Sequence, residues 1–240
     1  MYANMSLKGR MLKPWLYVAA LFGSQLFALL VLVVCWKFSI AFRGWVDTPP
    51  GTFSVTVLGG LAAFLVVILL SRVRSLVGLL SLFEFQSLRR RLNYFVLVAG
   101  FVLGITGIFL TRVKMPHFAE TYPLTKPFIH QLGPEKYLLT IILLVGPIFE
   151  EIIMRGFLYR AFRKSYGISA SVFAMVLVAT LTHFGIMTAS PWTFLLLATL
   201  QVVLCIILES TNNLWNCIAC HIVYNATLLS APLIGIGWVK

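Results

Sequence analysis

About seven stretches of this sequence, each about 18 residues or longer, exclude nearly all charge: 15–36, 53–70, 94–110, 137–153, 169–187, 192–208 and 214–238. That is the length a helix needs to cross the hydrocarbon of a bilayer. Inside a bilayer only helices and closed barrels satisfy their own backbone hydrogen bonds. Runs this long and continuous point to helices, so the expected fold is an all-α, polytopic membrane helix bundle with about seven transmembrane helices. An eighth apolar stretch, 75–85, is too short to span and contains Glu84; it reads as an interfacial or re-entrant helix. Apolar residues make up 60% of the chain and charged residues 11%, so lipid rather than water is the expected main solvent.

A net charge of +12 in a soluble chain would suggest nucleic acid, but here the Lys and Arg residues flank the apolar runs, and no nucleic-acid partner is expected. With the N-terminus inside, the larger share of the basic residues is cytoplasmic: Lys8, Arg10, Lys13, the cluster from Arg72 to Arg91, and Arg155, Arg160, Arg163 and Lys164. The smaller share, from Lys37 and Arg43 through Lys136 to Lys240, lies opposite. The expected localisation is therefore the cell membrane, multi-pass, with a cytoplasmic N-terminus. The first run lacks a small-residue cleavage site and reads as a retained anchor.

Pro116, Pro123, Pro127 and Pro134 mark the longest connection, from Arg112 to Lys136. It divides a scaffold, residues 1–136, from residues 137–240, whose last four runs carry Glu150, Glu151, His183, His221 and Asn225. Ionisable groups at such depth are functional-site candidates by default. A polar cavity enclosed by the last four helices is expected.

Glu151 and Arg155 stand four residues apart with the acid first, the favourable order for a helical ion pair. Glu150 points about 100° away, without a local partner, and burial is expected to suit it to work as a general base. The Tyr166-Gly167 turn would bring His183 to a similar depth. His221 and Asn225 are again four apart and leave one face of the last helix; two such donors in a dry site can stabilise an oxyanion. Each of these groups taken alone also fits an interhelical clamp.

Together the residues resemble the CAAX protease and bacteriocin-processing family of intramembrane glutamic endopeptidases, whose motifs are Glu-Glu-x-x-x-Arg, Phe-x-x-x-His and His-x-x-x-Asn or Asp. The first matches at Glu150, Glu151 and Arg155, followed by Gly156, and the third at His221 and Asn225. The second matches at His183 alone, because Ala179 stands where the family has Phe. The resemblance implies that Glu150 and His183 activate water, that His221 and Asn225 hold the oxyanion, and that Glu151 and Arg155 brace the site. It implies hydrolysis of a peptide or membrane-associated protein substrate, with no metal and no cofactor.

Other readings use the same residues. A zinc-dependent intramembrane protease could draw on one carboxylate and two histidines, although the chain has no His-Glu-x-x-His helix and an amide such as Asn225 is a poor zinc ligand. A non-catalytic membrane regulator or peptide-immunity protein could keep the fold without the reaction. A proton-coupled transporter would be expected to show internal repeats. Haem attachment through Cys217, Cys220 and His221 would need an exposed segment rather than an apolar run. Cys35 and Cys205 also lie in apolar runs, and His117 and His130 in the proline-rich connection.

Overall fold

The computed structural model describes residues 13–24, 93–114, 136–183 and 191–233, and positions 26, 30, 37, 58, 61, 62, 64–66, 68 and 69. The expected interfacial helix at 75–85, the proline-rich connection with His117 and His130, Cys35, and half of the first two apolar runs lie outside the described residues. Among the described residues the chain is helical throughout, as the apolar runs require. Among these residues one helix, Pro191–Thr211, is long and apolar enough to cross a membrane by length and composition.

Helix α1 spans Tyr94–Lys114. Helix α2, Lys136–Glu151, continues without a break through a π-helical stretch, Ile152–Tyr159, into α3, Arg160–Ser165. Helices α4, Ile168–Thr182, α5, Pro191–Thr211, and α6, Leu214–Leu233, follow. The turn expected at Tyr166-Gly167 is there: Tyr166 is extended and Gly167 caps α4. A tighter turn joins α5 to α6. Asn212 takes the left-handed conformation (φ 45°) that closes a helix, and Asn213 Oδ1 accepts the Trp215 N–H at 3.0 Å, capping the next helix.

Side chains from the N-terminal part pack on the π-helical stretch and its neighbours. Trp15 meets Phe162 edge-on with ring centroids 4.9 Å apart, Tyr17 meets Phe157 at 4.9 Å, and Phe64 meets Phe149 at 6.1 Å. Trp15 also donates from Nε1 to the Tyr166 hydroxyl at 3.2 Å.

Helix α1 packs directly against α6. Asn93 N–H donates to Asn216 Oδ1 at 3.2 Å, and further along Gly100 faces Cys220, Gly104 faces Tyr224 and Thr227, and Gly107 faces Leu228. Both residue numbers rise together, so these two helices run parallel. The glycines, in a G-x-x-x-G-x-x-G stripe, remove the side chains that would hold the backbones apart. A Cβ at Gly100 would strike the Cys220 carbonyl, and one at Gly104 would lie 2.5 Å from Thr227 Cβ. This contact fixes the position of the helix that carries His221 and Asn225.

The stripe yields a prediction with an internal control. Gly104→Val should lower stability in detergent by about 1–3 kcal/mol through overpacking. Gly23→Ala, where a Cβ would meet nothing within 4 Å, should be neutral or stabilising by up to about 1 kcal/mol. Thermal unfolding of both variants beside the parent chain makes the comparison.

Candidate functional site

The polar centre forms where α2 passes into the π-helical stretch. Pro147, inside α2, has no N–H to donate to the helix ladder, and a few residues later the helix widens. A π turn contains more residues than an α turn. The drift of a four-residue spacing around an α-helix is thereby offset, and Glu151, Arg155, Tyr159 and Arg163 stay aligned toward their partners on α5 and α6.

Glu151 and Arg155 are both 0% exposed. Arg155 Nη1 donates to Glu151 Oε1 at 2.9 Å, the pair expected from the sequence. The same oxygen lies 2.8 Å from His221 Nδ1 on α6. A carboxylate oxygen only accepts, so Nδ1 carries hydrogen and Nε2 is the position that the neutral ring leaves as an acceptor. The doubly protonated ring donates there instead. Arg155 Nη2 reaches α5, where it donates to Gln201 Oε1 at 2.5 Å and to the Gln201 carbonyl at 3.4 Å. Among the described residues Glu151 Oε2 and Arg155 Nε have no hydrogen-bond partner.

One step outward on the same line, Tyr159 donates its hydroxyl hydrogen to Glu209 Oε1 at 2.8 Å, and Arg163 Nε donates to that oxygen at 2.7 Å. Arg155 bonds to Gln201, and Tyr159 and Arg163 to Glu209, so this segment runs parallel to α5.

Glu150 departs from the sequence expectation. Its side chain is exposed rather than enclosed, because the face of α2 that meets α6 is occupied by Glu151. The burial expected to tune Glu150 is therefore not supplied by the protein's own packing. Among the described residues it forms no hydrogen bond or ion pair, in keeping with the expectation that it lacks a local partner.

His183 ends α4, half-buried. Its backbone N–H and its ring Nδ1 both lie 3.0 Å from the Ala179 carbonyl, and Nδ1 is also 3.0 Å from Thr182 Oγ1. The carbonyl only accepts, so Nδ1 is the protonated nitrogen and Nε2 of the neutral ring is an acceptor. The departure from the family motif thus falls on a residue whose backbone orients the histidine. Asn225 lies one turn beyond His221 on α6, half-buried.

The structure joins Glu151, Arg155 and His221 directly and adds Gln201, Tyr159 and Glu209, which sequence reasoning did not single out. Gln201 had a signal of its own, an amide inside the apolar run 192–208. The glycine stripe had one too, the G-x-x-x-G spacing.

Residues 134–227 match the family model described as type II CAAX prenyl endopeptidase Rce1-like. This agrees with the CAAX protease family to which the motifs are similar, a family of membrane-embedded proteases. The matched segment contains Glu150, Glu151, Arg155, His183, His221 and Asn225. The chain has no match among curated proteins and none among solved structures.

Two arginines on this line should respond differently to removal. Arg155→Ala leaves a buried carboxylate without its cation and should cost about 3–5 kcal/mol of stability. Arg163→Ala removes a solvent-screened contact and should cost much less. Unfolding in detergent measures both.

Proposed function

We propose that this chain is an intramembrane endopeptidase that hydrolyses a peptide bond in a peptide or membrane-associated protein, using water activated by Glu150 and His183. The observation that carries this reading is the division between two adjacent acids. Glu151 is fully enclosed and held by Arg155 and His221, so no substrate carbonyl can touch it. Glu150 is open to approach. A general base must come within hydrogen-bond reach of the proton it removes, and of the two only Glu150 meets that condition. The Rce1-like match over 134–227 supports peptidase chemistry.

In this mechanism Glu150 takes a proton from water while Nε2 of His183 accepts a hydrogen bond from the same molecule. The hydroxide adds to the scissile carbonyl. His221, protonated at Nε2, and the Asn225 amide donate to the oxyanion, a contribution of about 3–4 kcal/mol for a single such donor elsewhere. The tetrahedral intermediate collapses as the proton held by Glu150 passes to the leaving nitrogen, giving a carboxylic acid and an amine, between which a proton then passes in water. No acyl-enzyme forms, and neither metal nor cofactor takes part. A helical substrate must unwind at the site, because a helix hides its carbonyls in hydrogen bonds.

The reading includes a bundle of about seven spans with a cytoplasmic N-terminus, in which residues 1–136 form the scaffold and 137–240 the catalytic core. The family description names a CAAX prenyl endopeptidase; for this chain prenylated CAAX proteins are one substrate class within the broader one.

Purified protein in detergent should cleave members of a quenched peptide library whether or not a chelator is present. Glu150→Gln should abolish that cleavage while the protein stays folded. Chelator-sensitive cleavage restored by zinc would replace this reading with a zinc protease. Equal behaviour of the parent and Glu150→Gln would replace it with a non-catalytic regulator.

A further inference from the structure

We infer that Gln201 is a positioning residue of this site, acting on His221 through Arg155 and Glu151; the inference rests on the peptidase reading for its catalytic consequence, though not for its geometry. Gln201 is 5% exposed, in the middle of the apolar helix α5. Its side-chain oxygen receives Arg155 Nη2 at 2.5 Å, and its backbone carbonyl lies 3.4 Å from the same nitrogen. Guanidinium nitrogens only donate, so the amide must present its oxygen, and its orientation is fixed by chemistry.

The chain of contacts then passes from Gln201 to Arg155, from Arg155 Nη1 to Glu151 Oε1, and from that oxygen to His221 Nδ1. Three helical segments meet in it. Gln201 anchors the end of the guanidinium that Glu151 does not hold. Without that anchor Arg155 can rotate about its long side chain, and Glu151, whose Oε2 is already unpartnered, loses the fixed cation that aims Oε1 at the imidazole.

The neutrality of the amide matters as much as its reach. A carboxylate at position 201 would keep an acceptor there but compete with Glu151 for the one guanidinium. The two roles are separable by substitution: Gln201→Leu removes the anchor, and Gln201→Glu keeps the anchor and divides the charge.

The test uses the full chain in detergent with ¹⁵N-labelled histidine, the His221 signals being identified by their loss in His221→Phe. In the parent, His221 should show a protonated Nδ1. In Gln201→Leu that signature should be lost or averaged, and kcat should fall about 10²-fold, the scale of a small misplacement at a reacting site, with KM changed less than about threefold. Gln201→Glu should fold, and should alter the His221 signals while lowering kcat by a smaller factor. Unchanged His221 signals in both variants would overturn the inference, as would a KM rise at constant kcat. If the His221 signature moves as expected while no variant, nor the parent, cleaves any peptide, the positioning role stands and the peptidase reading falls.

Discussion

The ion pair between Glu151 and Arg155 is the interaction on which the rest of the site depends. Both side chains are withdrawn completely from the surface, and the desolvation of either charge alone would cost several kcal/mol. Their attraction offsets that cost only where geometry is good and the remaining donors and acceptors are served. His221 on α6 and Gln201 on α5 supply two of those contacts, while Glu151 Oε2 and Arg155 Nε bond to nothing among the described residues. The pair therefore imposes a requirement on two other helices, and this requirement locates the buried polar centre of the described helices. The glycine stripe on α1 works to the same end on another face of α6, because it lets α6 sit close enough to be held in register.

The same constraint explains why two adjacent acids can have different fates. One helical step of about 100° carries Glu150 away from the enclosed line on which Glu151 lies. Glu151 becomes structure, with its Oε1 engaged by a guanidinium and an imidazole. Glu150 is left exposed. His183, oriented by a backbone carbonyl at the end of α4, shows a second way to set a histidine's tautomer without a neighbouring acid.

Much of this could be read from the sequence. The helical class followed from the apolar runs, the Glu151–Arg155 pair from their spacing, and the Tyr166-Gly167 turn from the glycine between two apolar runs. The exposure of Glu150 could not be read, since periodicity tells which residues share a face but not which face a neighbouring helix covers. The π-helical stretch has no sequence signal of its own beyond Pro147. The role of Gln201 depends on a partner 46 residues away, and the parallel pairing of α1 with α6 is likewise a long-range contact. Both left only local hints, an amide among apolar residues and a small-residue spacing.

The most direct test of the buried pair as the organising interaction is a double-mutant cycle for stability, with Glu151→Gln, Arg155→Met and the two combined, measured by unfolding in mixed micelles. Each single change strands a partner in a dry enclosure. The combined change strands neither charge, so the double variant should be markedly more stable than the sum of the single losses predicts, with a coupling of at least about 1–3 kcal/mol. Losses that simply add would mean that the two side chains act independently, and the account of the site built around them would be wrong.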